Sequence, residues 1–422
     1  MSRRMTLGGV AVLISTALML TACSGTTGGS PGARTAAPSD GPSPLATFEA
    51  PREFEGTPVP LTLEAVDANL AGDFTSRFTL SGEHAYGVTG TSVGAVDLLT
   101  GETIWETRFP GAPEDAASGV MYDSRGPGAP VVSEDGSTVY AVMLVYVQGT
   151  GTTSDSAAAQ LVAVDAETGD LTWSTDIPLG ADVYGTSGQS MRVAGAQDGR
   201  VIVALDGEGM AVAVDSTTHE VLWSEPASVQ LAGQDVVVVT AELAKDDDGA
   251  AYPQLAGLDP ATGELLWSSG DDLRSAVMGA AAVETEAGLV MTVFPYSGAD
   301  PRSDVIDPAD GRAIEPVPGP PLSNPSTDGV ALYDLDAGIR ALDPVTLETR
   351  WELPEGNRIA PTTPVFFGGL VYGRVGNGMS VVLDGESGAD LTADIPGTFV
   401  AVNQHGALML VDDQAVFVPA TG

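Results

Sequence analysis

The chain has little of several residue types on which function is commonly built. Its 422 residues include one cysteine (Cys23), one lysine (Lys245) and three histidines (His84, His219 and His405). A single cysteine excludes an intrachain disulfide, and histidines so far apart do not have zinc-site spacing. The 57 acidic residues outnumber 17 basic ones, giving a net charge of −40. Such a field repels nucleic acid and anionic lipid headgroups, so no nucleic-acid partner is expected.

The apolar run at the N-terminus is too short to cross a membrane. Leu7–Leu20 spans 14 residues after two arginines, whereas a membrane-spanning helix needs ~20. A run of this length after a basic start predicts a signal peptide, residues 1–22. The next residues, Leu20-Thr21-Ala22-Cys23, are similar to the bacterial lipobox. This resemblance implies lipidation (palmitate) at Cys23 and a membrane anchor on the extracytoplasmic side, with Sec or twin-arginine export left open.

The segment after Cys23 has almost nothing apolar to bury. Ser24–Pro44 consists mainly of Gly, Ser, Thr, Pro and Ala, a composition typical of a flexible tether. We assign residues 23–48 to this tether and residues 49–422 to the folded domain. The 52 glycines of the chain are typical of a turn-dense all-β domain.

One eleven-residue phrase recurs seven times: a small residue, an aliphatic residue, Asp, two variable residues, Thr, Gly, three variable residues and Trp. All five tryptophans occupy its last position. The anchors of the phrase are Asp97, Gly101 and Trp105; Asp165, Gly169 and Trp173; Asp215 and Trp223; Asp259, Gly263 and Trp267; Asp307; Asp343 and Trp351; and Asp384 and Gly388.

The phrase predicts a β-hairpin. The alternating apolar residues before the Asp form a strand, and the carboxylate accepts backbone N–H groups in an Asx-turn. The Gly supplies the positive φ of the turn, and the Trp on the returning strand offers an apolar surface to a neighbouring unit. Each Asp therefore has a structural role in its turn.

The spacing of the anchors predicts a β-propeller. Successive Asp residues are 68, 50, 44, 48, 36 and 41 residues apart, and four-stranded propeller blades repeat every ~40–50 residues. Three further strands are predicted at Thr398–Val402, Ala407–Val411 and Ala415–Pro419. Pro58–Val66 is the expected outer strand beside them, which would close an eight-bladed ring. Seven blades is the alternative if these last strands only decorate the rim.

These residues resemble the tryptophan-docking repeat of the quinoprotein alcohol dehydrogenase-like family, which includes BamB-type repeat lipoproteins. The resemblance extends over residues 58–419 and implies an eight-bladed propeller. Glu315 and Thr392 stand where Trp is expected, and His219 and Leu347 replace the turn Gly.

The enzymes of that family imply pyrroloquinoline quinone, a vicinal Cys pair and calcium ligands. Only one cysteine is present, and the acidic loop Lys245–Gly249 has consecutive carboxylates rather than alternating calcium ligands. Neither the quinone nor calcium is therefore expected, and no catalytic residue is assigned.

The longer segments between predicted strands all fall on the rim opposite the Thr-Gly turns. They are Pro110–Pro130, Gln148–Ala159, Ala244–Pro253, Pro295–Ser303 and Val317–Ser326. Insertions on one face of a rigid scaffold often serve recognition, and Tyr and Arg are favoured binding anchors. The candidate binding residues are Tyr122, Arg125, Tyr146, Tyr296 and Arg302.

The sequence thus favours a lipid-anchored propeller that acts as a non-catalytic protein-interaction scaffold in the cell envelope, with an envelope protein of unknown identity as partner. A propeller that binds a small molecule or glycan in its axial funnel is the second interpretation. A quinone-dependent dehydrogenase is the third.

Overall fold

The structure is a computed structural model. The residues it describes are 45–62, 78–89, 91–112, 122–147, 156–179, 189–206, 209–245, 251–269, 282–285, 288–293, 302–318, 330–334, 338–343, 346, 348–354, 356–412 and 414–422. The predicted signal peptide, Cys23 and most of the predicted tether lie outside these ranges.

The first strand in the chain, β1 (Val59–Pro60), belongs to the last sheet. The strands that follow build four sheets in chain order, each antiparallel between successive strands. Sheet 1 contains β2 (Phe78–Ser81), β3 (His84–Val88), β4 (Ser92–Asp97) and β5 (Thr103–Arg108). The next strand is β6 (Tyr122–Pro127). Sheet 2 contains β7 (Val131–Val132), β8 (Thr138–Val147), β9 (Ser156–Asp165) and β10 (Leu171–Pro178). Sheet 3 contains β11 (Gln189–Gln197), β12 (Arg200–Leu205), β13 (Met210–Asp215) and β14 (Val221–Glu225), with β6 added. Sheet 4 contains β15 (Ala227–Ala232), β16 (Val237–Lys245), β17 (Ala251–Leu258) and β18 (Leu265–Ser268).

Four further sheets follow, so that eight are formed by the described residues. Sheet 5 contains β19 (Ala282–Thr285), β20 (Gly288–Val293), β21 (Arg302–Ile306) and β22 (Ala313–Pro318). Sheet 6 contains β23 (Val330–Asp334), β24 (Gly338–Leu342) and β25 (Thr349–Leu353). Sheet 7 contains β26 (Thr362–Phe367), β27 (Leu370–Arg374), β28 (Met379–Asp384) and β29 (Asp390–Pro396), with a 3-10 turn at Gly376–Gly378. Sheet 8 contains β30 (Thr398–Asn403), β31 (Gly406–Val411) and β32 (Gln414–Pro419), with β1 beside β32.

The burial pattern explains why these segments become strands. The middle strands are apolar on both faces, as in β13, where Ala211 to Val214 are all buried. The outer strands alternate, as in β5, where Trp105 is buried between exposed Ile104 and Glu106. A middle strand is therefore covered by the sheets on either side, whereas an outer strand buries one face.

The hydrophobic core lies between consecutive sheets. One cluster of buried side chains joins sheets 1 and 2, and others join 2 and 3, 3 and 4, 4 and 5, 6 and 7, and 7 and 8. A further cluster joins sheet 8 to sheet 1, with Phe417 and Leu408 packed with Leu98 and Val96. Each fully buried aliphatic or aromatic side chain contributes roughly 1.5–3 kcal/mol.

This architecture confirms the all-β prediction. No α-helix occurs in the described part of the chain, and repeated four-stranded antiparallel sheets are the units from which β-propellers are built. The three C-terminal strands were predicted to within a few residues. The described ranges also contain no helix with the length and apolarity needed to cross a membrane.

The N-terminal strand is shorter than predicted. The sequence suggested Pro58–Val66, but only Val59 and Pro60 form a ladder, opposite Phe417 and Val416. Two residues further on, Thr62 hydrogen-bonds to the turn of sheet 1 instead of to sheet 8, because its N–H and hydroxyl both donate to Gly101 O at 3.0 and 2.8 Å. Residues 63–66 lie outside the described ranges.

The folded region also begins earlier than the predicted boundary at residue 49. Phe48 donates its N–H to Gln404 O at 2.8 Å, and His405 Nδ1 donates to Ala46 O at 2.9 Å. Leu45 packs against the core between sheets 8 and 1. Residues 45–48, assigned from composition to the tether, therefore contact the sheets.

The segment Pro110–Pro130 was expected to be a loop between the first two blades. Its middle part instead forms β6, which pairs in parallel with β11 of sheet 3. The pairing joins Tyr122 to Gln189 and Pro127 to Met191, with an irregularity between them. The described strand of this connection, residues 122–127, thus runs along the inner strand of sheet 3, a non-local pairing that no local pattern signals.

Candidate functional site

The turn between the third and fourth strands has the same hydrogen bonds in copy after copy of the repeat. Asp97 Oδ1 accepts the N–H and the hydroxyl of Thr100 at 2.7 and 2.9 Å, and Asp165 Oδ1 accepts those of Thr168 at 2.8 and 3.0 Å. The same carboxylate–Thr or carboxylate–Ser arrangement occurs at Asp215, Asp259, Asp343 and Asp384. These carboxylates therefore have a structural role in their turns.

These hydrogen bonds keep the carboxylates ionised. The N–H of Thr168 lowers the pKa of Asp165, and the N–H of Thr262 does the same for Asp259. The pKa of Asp215 is lowered mainly by the N–H of Thr218, and that of Asp384 mainly by the hydroxyl of Ser387. The rim that carries these turns, here called the turn rim, therefore remains anionic at neutral and mildly acidic pH.

Four tryptophans bind the turn of the following sheet. Their indole Nε1–H groups donate to the carbonyl of the residue after the next repeat's Asp, at 2.8–3.1 Å. The pairs are Trp105 to Ala166, Trp223 to Pro260, Trp267 to Pro308 and Trp351 to Gly385.

The turn glycine makes this contact possible. Gly169 has φ of 77°, and a Cβ built on it would lie 2.6 Å from the Trp105 ring. The glycine is therefore required twice, once for its backbone conformation and once because the indole lies directly on its Cα.

The junction between sheets 2 and 3 departs from this pattern at His219. This residue keeps the left-handed conformation, φ 63°, and its ring stacks on Trp173 with centroids 4.7 Å apart and planes at 16°. Trp173 is half-buried, unlike the other four tryptophans. The imidazole thus covers the indole at the turn position that a glycine occupies at the other junctions.

The three histidines are in separate environments. His84 Nδ1 is 3.2 Å from the Tyr86 hydroxyl in sheet 1, His219 stacks on Trp173, and His405 bonds to Ala46. In the described ranges, no three His, Cys, Asp or Glu side chains are grouped as metal ligands would be.

A polar cleft of about 290 Å³ opens between the turns of sheets 2 and 3. Ser133 and Ser137 donate to Asp135, and these bonds lower the pKa of that carboxyl to about 2. On the other wall, Arg200 Nη2 lies 3.9 Å from Asp198 Oδ2. These groups satisfy one another within their own turns, so the cleft offers charge but no nucleophile–base pair.

The opposite rim carries the long hairpins. We call it the hairpin rim and define it by the ends of β8–β9 and β16–β17, where the second and third strands of sheets 2 and 4 meet. β8 and β9 pair from Thr138 and Asp165 as far as Val147 and Ser156. β16 and β17 pair as far as Lys245 and Ala251. Part of each predicted loop, Gln148–Ala159 and Ala244–Pro253, is therefore strand.

The far ends of β8 and β9, which extend sheet 2 toward the hairpin rim, are packed against the rest of the protein. Met143 and Val145 are fully buried, and the Gln160 side chain accepts the Gly111 N–H at 2.9 Å and donates to Asp176 at 2.7 Å. Near the end of β16, by contrast, Leu243 is 45% exposed. The hairpin rim thus combines a fixed backbone with an accessible aliphatic side chain.

Four of the five candidate binding residues lie on described backbone. Tyr122 and Arg125 are in β6, Tyr146 is near the end of β8, and Arg302 begins β21. Tyr296 lies outside the described residues. The topology places Tyr146 and Arg302 at ends of second and third strands, on the hairpin rim, whereas Tyr122 and Arg125 follow the inner strand of sheet 3.

Sequence reasoning missed the N-terminal segment as a contact element. Phe54 packs edge-on against Phe399 at 5.2 Å and Tyr372 at 6.1 Å, and the Tyr372 hydroxyl donates to Pro51 O at 2.8 Å. The signal that could have revealed it is the return of large apolar residues, Leu45, Phe48 and Phe54, after a tether that lacks them.

Repeated sheets, Asx-turns and docked indoles define the protein class as a propeller-repeat protein with PQQ-like motifs. A family model described as outer membrane protein assembly factor BamB matches residues 89–190 and 157–328. Together these matches extend over more than half of the chain, and the protein belongs to this family. No curated protein sequence matches the chain.

One solved structure shares the fold at low sequence identity, and two others overlap more loosely. BamB from Moraxella catarrhalis is 14% identical with a TM-score of 0.50, and the match covers 86% of this chain and 100% of that one. A europium-containing methanol dehydrogenase is 13% identical with a TM-score of 0.47, covering 81% of each chain. The quinohemoprotein alcohol dehydrogenase from Comamonas testosteroni is 17% identical with a TM-score of 0.45, covering 87% of this chain and 71% of that one. The two dehydrogenases overlap too loosely to bear on the chemistry of this chain.

Proposed function

We propose that this protein is a lipid-anchored, eight-bladed β-propeller on the extracytoplasmic side of the membrane, where it serves as a non-catalytic scaffold for an envelope protein. The observation that carries the proposal is the pair of extended hairpins, β8–β9 and β16–β17, on the rim opposite the repeat turns. Fixed projections on one face of a repeat scaffold suit protein recognition.

Two contacts support ring closure through sheet 8. The core between sheets 8 and 1 contains Phe417 and Leu98, and β1 pairs with β32. Pro60 and Val59 occupy the space over Gly101 that an indole occupies over the turn glycine elsewhere. Because sheet 8 also shares a core with sheet 7, it behaves as a blade between two neighbours. This favours eight blades over seven.

The anchor is proposed from the sequence. Cys23 follows the apolar run at the distance expected of a lipidation site and is the only cysteine. The net charge of −40 makes attachment through a basic surface implausible, so a lipid is the remaining means of membrane attachment in this proposal. Cys23→Ala should release the protein from the membrane fraction or block its processing. A variant that fractionates like the wild type and carries the same lipid mass would contradict the anchor.

We propose that the protein is not catalytic because the acidic side chains of the repeat already have a structural role. The motif carboxylates accept turn N–H groups, as Asp97 and Asp259 do, and the chain has no vicinal cysteine pair. Incubation with pyrroloquinoline quinone and Ca²⁺ should leave no quinone absorbance after gel filtration and no dye-linked alcohol oxidation. Stoichiometric retention of the quinone would replace the scaffold by a quinone-binding function.

The family suggests the kind of partner, because its description names outer membrane protein assembly. Photo-crosslinking amino acids at Leu243 on the hairpin rim and at Thr262 on the turn rim provide a matched test within sheet 4. Both positions are exposed. In cells, Leu243 should give a discrete crosslinked envelope protein that Thr262 does not give. Equal products at both positions, or a product at Thr262 alone, would overturn recognition through the hairpin rim.

A further inference from the structure

We infer that the turn rim is the face held toward the membrane, so that the hairpin rim points away from the lipid toward the partner. This inference rests on the proposed attachment through Cys23, and it assigns the two faces of the domain to different neighbours: a lipid surface and a protein.

The first step is topological. In an antiparallel sheet of four strands, the turn between strands one and two lies at the same end as the turn between strands three and four. The residues Gln404 and His405, between β30 and β31, therefore lie on the turn rim, as do Gly82 in sheet 1 and Gly368 in sheet 7. Asn403 Nδ2 donates to Gly82 O at 2.9 Å, which links the turns of sheets 8 and 1 directly.

The second step is the place where the folded chain begins. Ala46 O accepts from His405 and the Phe48 N–H donates to Gln404 O, both in the first turn of sheet 8. A Cβ on Gly368 would lie 2.5 Å from Glu49 O, so the chain also crosses the first turn of sheet 7. All these contacts are on the turn rim. The tether that precedes Leu45 consequently starts from this face.

The third step compares lengths. The composition of Ser24–Pro44 predicts a flexible chain, and 21 residues of such a chain would have a root-mean-square reach of ~25 Å. A ten-residue strand such as β8 is ~33 Å long. To bring the hairpin rim to the membrane, the tether would have to run the height of the domain and part of its width, well beyond its mean reach. Facing the membrane with the turn rim requires no such extension.

The charge of the turn rim determines how closely it approaches. Asp165, Asp215, Asp259 and Asp384 all lie in its turns and are held ionised by N–H or hydroxyl donors. Repulsion from anionic headgroups acts within a Debye length of ~8–10 Å, which is shorter than the tether. The domain should therefore stand off the lipid surface without contact, with the turn rim on average the nearer face because the tether starts there.

The test couples the mature chain through Cys23 to a maleimide lipid in phosphatidylcholine vesicles containing an acceptor-labelled lipid. A fluorescent amino acid replaces Thr262 on the turn rim or Leu243 on the hairpin rim. Both sites are in sheet 4, across the proposed ring from the attachment point. Energy transfer to the membrane should be greater from position 262 than from position 243. Equal transfer, or the reverse order, would overturn the inference.

A reference sample shows that the assay can detect the opposite orientation. Leu243→Cys in a Cys23→Ser background is coupled to the same lipid, with fluorescent amino acids placed at Thr262 and at Tyr146. Transfer should then be greater from position 146 on the hairpin rim. Because the lipid is attached chemically, the result does not depend on lipidation in cells. Failure of the native anchor is detected separately by fractionation of Cys23→Ala.

Discussion

Two kinds of junction hold neighbouring sheets together, and they use the same acceptor surface. Between sheets 1 and 2, the Trp105 indole lies on the turn glycine and Thr107 donates its hydroxyl to Gly169 O. Between sheets 8 and 1, Pro60 takes the position of the indole and Thr62 donates to Gly101 O. The first junction is made by the repeat motif itself and links successive repeats, whereas the second is made by an N-terminal segment that also pairs with the last strand of the chain.

The comparison shows that the turn, more than the tryptophan, is the constant element. The turn of sheet 1 is contacted by an N-terminal segment that has no aromatic residue at that point. The turn of sheet 3 has His219 in place of glycine, and Trp173 stacks on it. The Asx-turn persists in both because Asp97 and Asp215 keep their backbone donors. The residue that docks can therefore vary as long as the turn presents the same carbonyl groups.

The largest effect is expected from removing the N-terminal junction. A chain beginning at residue 63 loses Phe54 from its contacts with Tyr372 and Phe399, and leaves the buried Tyr372 hydroxyl without Pro51 O. Loss of the partly buried Phe54, of buried Leu61 and of one hydrogen-bond acceptor should together cost about 4 kcal/mol or more. Because sheet 8 joins sheets 7 and 1, unfolding should be affected globally.

Melting curves of chains beginning at residues 23, 45 and 63 would test this. The first two should melt together, since residues 23–44 precede the contacts of Leu45 and Ala46 with the sheets. Equal melting of the chain from residue 63 would mean that the N-terminal segment does not close the array.

A repeat-encoded junction should be the next most sensitive. Trp223 is buried, and its indole donates to Pro260 O at 3.0 Å over Gly263. Trp223→Ala should therefore lower the free energy of unfolding by ~3–5 kcal/mol. Trp173→Ala should cost less, because Trp173 is only half-buried against His219. Urea unfolding of the two variants gives the comparison directly, and equal losses would contradict a difference between the junctions.

Substitutions of His219 should change the stability less, and alanine and glycine should have different effects. His219→Ala removes a stacked ring pair worth ~0.5–1.5 kcal/mol while leaving a side chain in the left-handed conformation. It should therefore destabilise the protein. His219→Gly loses the same stack but relieves ~1–2 kcal/mol of left-handed strain, so its stability should be at or slightly above that of the wild type. If alanine were tolerated better than glycine, backbone conformation would not govern this position.

The smallest effect concerns acid. The folded-state pKa values of Asp165, Asp215, Asp259 and Asp384 lie below the ordinary value of ~3.9. Their contribution to stability is thus complete above that value and is lost as pH falls through the folded-state pKa. Asp135 has a pKa of about 2, so its contribution to stability is lost only at still lower pH. Melting temperatures from pH 6 to pH 2 should be flat above about pH 5 and fall below about pH 4.

Asp259→Asn is the control for this titration, because an amide oxygen can still accept the Thr262 N–H but cannot titrate. Its melting temperature should be lower than that of the wild type at pH 6 and should converge with it near pH 2. A constant difference over the whole range would mean that the turn carboxylate does not contribute through its charge.

The two rims also differ in how far they could be predicted from sequence. The turn rim is local: Asp, Thr and Gly within five residues fix it, and positions such as Asp97 and Gly101 hold the contacts that the spacing suggested. The hairpin rim is not local. The strands β8 and β9 continue to Val147 and Ser156 because β11 and Gly111, whose N–H donates to Gln160 of β9, pack against them, and loop-like composition conceals this.

By itself the sequence determined the class of fold, the docking of tryptophans such as Trp105 and Trp223, and the turns that receive them. It could do so because hydrogen bonds within a turn and alternation along a strand involve residues close together in the chain, and because the tryptophan and the turn that receives it recur in one repeated motif. Only the tertiary structure decided that β6 pairs with β11, that Pro60 lies over Gly101 and that Ala46 enters beside His405. Those contacts join distant segments, and their partners are selected by packing and by the need to satisfy backbone groups rather than by any local pattern.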